Sequence, residues 1–218
     1  EGKAFVTPAS VVEGNNQPGP LPPDVAAQIG PTTLPFHEDL SFGKLDYSPT
    51  DSDLFELTGK YRSEKQRDNV GDQDAASFGS DIVNDEKRAD LRWLHTADRW
   101  QNDAHLTWED TSWGPRPVTN GNASVYAVAS DNNRLLLNVG AGANFQNKGQ
   151  EGPALQDDFS LTDLHWEGDH LVKMGLKYKE VKLSTQEINP ANPQFFFNVT
   201  AAGADQDPYK AFFGVPLA

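Results

Sequence analysis

Cysteine is absent from the chain. That removes disulfide frameworks, thiolate zinc sites and cysteine nucleophiles from consideration. The compartment stays open, because an oxidising space does not oblige a protein to carry cysteine. Basic residues are few: 18 Lys and Arg stand against 32 Asp and Glu, a net charge of -14 with a pI near 4.6. A phosphate backbone would be repelled, so no nucleic-acid partner is expected. No run of about 18 apolar residues exists, which excludes a membrane-spanning helix. A membrane-spanning strand is not excluded, since its lipid face needs only every second residue. Glu1-Gly2-Lys3 is not the start of a signal peptide, and without an initiator methionine the chain is expected to be a mature or excised piece.

The 218 residues suit one domain or slightly more. Mean hydropathy is low at -0.62, yet 10% aromatic content with five Trp argues against disorder. Residues 1–36, with Pro18, Pro20, Pro22 and Pro23, are expected to form an irregular Pro/Gly-rich loop. Residues 37–183 are expected to hold three β-hairpins with long connecting loops, and 184–218 a long loop and the start of a further strand.

Alternation carries the hairpin reading. Phe55, Leu57, Gly59 and Tyr61 share one face, and Glu56, Thr58, Lys60 and Arg62 the other. Leu45 and Tyr47 precede them across the turn formers of 48–53, which makes a hairpin. Ala89, Leu91 and Trp93 alternate with Asp90, Arg92 and Leu94; after the turn 95–99, Ala104, Leu106 and Trp108 return on one face. A third unit runs from Phe159 to Trp166, turns at 167–169 and returns with Val172, Met174, Leu176 and Tyr178 on one face. Short turns alternate with long polar segments (63–87, 111–157 and 184 onward), the layout of a transmembrane barrel. Tyr47, Tyr61, Trp93, Trp100, Trp108, Trp166 and Tyr178 mark strand ends, as interface aromatics do. Spacing alone leaves barrel and soluble sandwich both open.

The segment His37 to Pro49 followed by Asp53 to Arg62 resembles a barrel hairpin of TonB-dependent outer-membrane receptors of Gram-negative bacteria. Asp90-Leu91-Arg92-Trp93, Asp98 to Ala104 and Trp108 to Pro117 are similar to the next pair and its loop; Lys173 to Lys179 and Asn192 to Phe197 resemble a later strand and loop. The resemblance covers roughly residues 35–215, on pattern and without a diagnostic motif. It implies an all-β fold: antiparallel hairpins forming part of a transmembrane β-barrel of about 22 strands with a plugged lumen. It further implies residence in the bacterial outer membrane and energised uptake of a scarce solute, of siderophore, carbohydrate or peptide class. The implied partners are the remaining strands and plug of the same receptor, TonB through a part outside this chain, the solute and the lipid bilayer. No plug, TonB-contacting segment or closing strand is read here, so an internal section of a longer receptor is expected. Lumen positions fall to Glu56, Lys60, Arg62, Asp103, Glu109, Lys173 and Lys177. Loop aromatics and a cation, Trp113, Arg116, Phe195 and Phe196, are the expected ligand contacts.

Other chemistry is thin. Asp72-Gln73-Asp74 and Asp205-Gln206-Asp207 offer oxygen ligands but lack a calcium-loop pattern. Gly140-Ala141-Gly142 lacks the third glycine of a dinucleotide fingerprint, and no pair among the five His has the helical zinc spacing. His105 shares a face with Asp103, Thr107 and Glu109, which reads as a hydrated polar face. No nucleophile-elbow or triad spacing is present; neither a catalytic function nor a cofactor or metal is expected. Against the transporter stand a β-sandwich binding sugar or protein through its loops, and a glycosidase using Glu109 and Asp110.

Overall fold

The computed structural model describes residues 2–9 and 20–214. Pro18 and the C-terminal Pro216-Leu217-Ala218 lie outside the described residues. In chain order the elements are β1 (Gly2–Val6), α1 (Pro23–Ala26), β2 (Gly30–Leu34), β3 (Phe36–Tyr47), β4 (Asp53–Asp68), β5 (Ser80–Thr96), β6 (Trp100–Pro117), β7 (Ala123–Val128) and β8 (Arg134–Gly140). They continue with β9 (Phe145–His165), β10 (Asp169–Lys179), β11 (Lys182–Ile188), β12 (Gln194–Thr200), β13 (Gly203–Ala204) and β14 (Lys210–Phe212). The protein is therefore all-β and almost wholly antiparallel, as the alternation predicts.

A seven-stranded sheet dominates, in the order β10-β9-β6-β5-β4-β3, with β11 continuing the β10 edge along β9. The three expected hairpins are β3–β4, β5–β6 and β9–β10, and their tight turns all lie at one end. The strands are longer than alternation suggests. β4 has 16 residues, β5 17, β6 18 and β9 21, against the 9–11 or so that cross a bilayer. Much of 63–87 and 111–157, read as loop, is thus strand. The reason is local: beyond Tyr61 both faces turn polar, so the period-two apolar signal fades while cross-strand pairs continue the ladder. Arg67 Nε donates to Asp81 at 2.8 Å and Ser63 Oγ to Asp85 at 2.6 Å in that extension.

At the end opposite the tight turns, the connections fold into a module of their own. β7, β8, β12, β13 and β14 make a five-stranded sheet in which β12 runs parallel to β7. Its core gathers Leu136, Leu137, Val139, Tyr126, Val128 and Val199 with Val6, Val25 and Ala75 from β1, α1 and the β4–β5 connection. The segment expected to be irregular, 1–36, therefore supplies β1, α1 and β2. β1 and β2 pair with each other, β1 also bridges Asp72 through Val6, and their alternation is interrupted by Pro31, which hides them from a periodicity reading.

The large sheet has no comparable core. Its strands touch their sheet neighbours and little else, and every residue of β3 and β10 is exposed.

Candidate functional site

In an antiparallel ladder, residues opposite one another project from the same face. Following the register across six strands, Leu45, Leu57, Leu91, Leu106, Leu155 and Tyr178 form one line. The next line toward the tight turns is Tyr47, Phe55, Trp93, Ala104, Asp157 and Leu176. Apart from Ala104 and Asp157, which accepts from Asn102 Nδ2 at 2.7 Å, these are large apolar groups with nothing over them: Leu57 is 50% exposed, Leu106 54% and Leu176 68%, and Met174, one line nearer the tight turns, 60%. No second layer covers this face among the described residues, so it is not the inner face of a sandwich.

The apolar face has a bounded height. Along the tight-turn rim, Phe55 stacks on Trp93 (ring centroids 6.3 Å apart) and Trp93 meets His95 at 5.9 Å. His95 stacks on Trp100 at 4.6 Å and Trp100 on Phe159 at 5.7 Å, which completes a ring ladder across four strands. Asp53 fixes the ladder from the rim: it accepts from Trp93 Nε1 at 3.0 Å and pairs with His95 Nδ1 at 2.7 Å. Tyr61 and Trp108 mark the opposite boundary. Phe55 to Tyr61 spans about 20 Å along β4 at the usual strand rise. Beyond Tyr61 the same face carries Lys65 and Arg67, both 2.8 Å from Asp81. Burial would raise the Asp81 carboxyl, but the hydrogen bonds from Lys65 and Arg67 outweigh it and hold the group below the ordinary carboxylate range.

The opposite face is a lattice of charge. Glu56, only 8% exposed, pairs with Lys44 and accepts from Arg92 Nη1 at 2.5 Å. Arg92 also grips Asp103 with two bonds, Nε at 2.7 Å and Nη2 at 2.6 Å, the bidentate geometry a guanidinium favours. Asp103 in turn lies 3.2 Å from His105, which meets Asp90 at 3.1 Å. Beside this chain is a cavity of about 360 Å³ lined by His105, Glu109, Gln156, Lys177 and Lys179, among others.

The register places all seven expected lumen residues, Glu56, Lys60, Arg62, Asp103, Glu109, Lys173 and Lys177, on this polar face. Lys60 donates to Glu86 at 2.8 Å, Arg62 to Glu38 at 2.7 Å, and Glu109 accepts from Gln150 at 2.9 Å and pairs with Lys179. Lys173 lies opposite Ser160. Arg92 is the residue that sequence reasoning missed: its face was legible from alternation with Leu91 and Trp93, but not that it joins two carboxylates on neighbouring strands. The polar face also carries Leu40 and Phe42 on the edge strand β3, 62% and 69% exposed.

The four expected ligand contacts are not brought together. Trp113 and Arg116 sit on β6 rather than in a loop, and project from opposite faces because their positions differ by an odd number. Trp113 lines a cleft with Asn84, Lys148 and Leu183; Arg116 lies opposite Asp81. Phe195 and Phe196 are in β12 of the small sheet, where Phe195 meets Phe213 edge-on at 5.9 Å. Phe196 meets Phe212 at 5.4 Å, with Lys210 Nζ 4.9 Å over its ring. Neighbouring polar groups hold backbone: Asn192 Nδ2 donates to Gly142 O at 2.9 Å and Gln194 Nε2 to Ala141 O at 3.2 Å. Asp74 accepts from Asn138 at 2.7 Å, and no metal-holding cluster of His and acids occurs among the described residues.

No family model matches the sequence, and no curated protein is significantly similar to it. Among solved structures, the fold is similar to the crystal structure of the outer membrane transporter YddB from Escherichia coli, with a TM-score of 0.57 at 12% identity. The match covers 86% of this chain and 24% of that one, so the chain spans about a quarter of its neighbour's length. At that identity the likeness shows the fold: an all-β section similar to an outer-membrane transporter barrel.

Proposed function

We propose that the chain is a section of a TonB-dependent transporter of the bacterial outer membrane, taking up a scarce solute of siderophore, carbohydrate or peptide class. The observation that carries this reading is the two-faced single-layer sheet. Its exposed apolar face is bounded by a stacked aromatic rim, and its other face is a charged lattice. Hydrocarbon satisfies the first and a watered lumen the second. In lipid each unpaired backbone group costs several kcal/mol, so the open edges at β3 and β10 call for further strands of the same receptor. Leu40 and Phe42, apolar on the polar face, call for a protein cover, the place a plug would take. TonB would act through a part of the receptor outside this chain. The lumen-lining set is Glu56, Lys60, Arg62, Asp103, Glu109, Lys173 and Lys177. Trp113, on the polar face, and Phe195 and Phe196, in the distal module, are retained as solute contacts together with Arg116.

Fractionation of the complete protein tests the membrane part. Extraction from outer membranes only by detergent, with a heat-dependent gel shift, is expected; a monodisperse protein in plain buffer would refute it. Capture of the complete receptor by the purified periplasmic domain of TonB tests the energising partner, and absence of binding would remove TonB from the account.

A further inference from the structure

Trp113 presents its indole where the sheet has left the lipid-facing band. It lies about 17 Å beyond Trp108 along β6 at the usual strand rise, on the polar face, and is 45% exposed. In register it stands between Asn84 of β5 and Lys148 of β9. One line nearer the band, Thr111 faces Gln150, and Gln150 faces Leu183 of β11, which is 73% exposed. These side chains project from one face and line a cleft of about 290 Å³.

The acids around the cleft are already held. Glu64, opposite Asn84, pairs with Arg62, and Glu86 accepts from Lys60 at 2.8 Å. Glu109 is shared by Gln150 and Lys179. By contrast the Asn84 amide, the Lys148 ammonium and the Trp113 indole N–H have no partner among the described residues. The Asn84 and Lys148 backbones stand about 10 Å apart, two strand spacings with the indole between them. An aromatic plane set between an amide and a cation suits a ring with one apolar face, hydroxyls at its edge and a single negative charge. Two other ligand classes fit less well. A peptide main chain would need free ladder groups, but β6 is paired here with β5 on one side and β9 on the other. A multiply charged metal chelate would find a single ammonium, that of Lys148, lining the cleft, in a chain of net charge -14.

Resting on the transporter reading above, we propose that this cleft binds one residue of an acidic saccharide. The pyranose stacks its C–H face on Trp113, neighbouring hydroxyls bond the Asn84 amide, and the carboxylate pairs with Lys148. The solute class thereby narrows to carbohydrate of uronate type.

The test is calorimetric titration of the complete, detergent-solubilised receptor with tetrasaccharides of galacturonate, mannuronate and glucuronate, each beside its carboxyl-reduced counterpart. At least one uronate should bind, about tenfold or more tighter than its reduced counterpart, the value of one charge-assisted contact. Lys148→Gln should bring the acidic ligand down to the level of the neutral one. Trp113→Ala should abolish binding, and Trp113→Phe should keep part of it. Absence of binding by all three uronates, equal affinity for the reduced counterparts, or full affinity in Trp113→Ala would overturn the site. The comparison of acidic with reduced ligands needs no variant, so a folding defect in Trp113→Ala would not shield the proposal. A receptor that leaves membranes without detergent would overturn the transporter reading itself; an integral receptor that binds none of these saccharides, or takes a ferric chelate or a peptide through Trp113 instead, would overturn the saccharide site alone.

Discussion

Replacing Leu106 by arginine separates a lipid-facing sheet from a water-facing one. Leu106 sits in the leucine line between Leu91 and Leu155 and is 54% exposed. If water met this face, an arginine there would extend into solvent and change stability by no more than about 0.5 kcal/mol, as surface substitutions do. If hydrocarbon meets it, the charge costs about 2–4 kcal/mol near the middle of the apolar band, at least a thirtyfold or so change in the folding equilibrium. Ser41→Arg is the matched control, because Ser41 lies on the same face at the level of Tyr61 and Lys87. There the cost should fall to about 0–1 kcal/mol. The assay is reversible denaturant unfolding of the complete receptor in lipid vesicles. Equal effects of the two substitutions, both within about 0.5 kcal/mol, would refute the assignment of the leucine line to lipid.

Three further outcomes follow from the packing. Arg92→Met removes the guanidinium shared by Glu56 and Asp103 on a part-exposed face and should lower the denaturant midpoint in the same unfolding assay; an unchanged midpoint would count against the lattice. Leu137→Ala removes a fully buried side chain from the distal module and should cost that module about 2–5 kcal/mol. Limited proteolysis should then cut 118–144 while the heat-dependent gel shift persists, and simultaneous loss of both would show one cooperative unit. For Asp81, a folded-state pKa below that of an ordinary aspartate means its pairing stabilises fully above about pH 4 and is lost as pH falls through the folded value. Asp81→Asn should therefore flatten the acid limb of stability measured by denaturant midpoints, and an unchanged limb would contradict the pairing.

The sequence revealed the parts of the fold that depend on alternation. Phe55-Leu57-Tyr61 against Glu56-Lys60-Arg62 assigned faces correctly, because one face of each strand is apolar over the same short span. It did not reveal strand length, since Ser63, Lys65 and Arg67 face partners as polar as themselves, and ladder bonds leave no hydropathy trace. The distal module was hidden for a different reason. Its core draws Val6, Val25 and Ala75 from three separated segments, none of them periodic. Phe195 and Phe196 follow Asn192-Pro193, which reads as loop; in β12 their rings meet Phe213 and Phe212 and so have a structural role beside any contact with solute.

The central claim is that alternate residues of one strand meet hydrocarbon and water. This section has no cysteine, so, with any cysteine elsewhere in the receptor replaced, spin labels can be placed singly at Ala104 to Glu109 of β6 in the bilayer-embedded receptor, and their accessibility to oxygen and to a water-soluble nickel chelate compared. Oxygen contact should peak at Ala104, Leu106 and Trp108, and chelate contact at His105, Thr107 and Glu109. Uniform access to the chelate along all six positions, or the opposite phase, would contradict it.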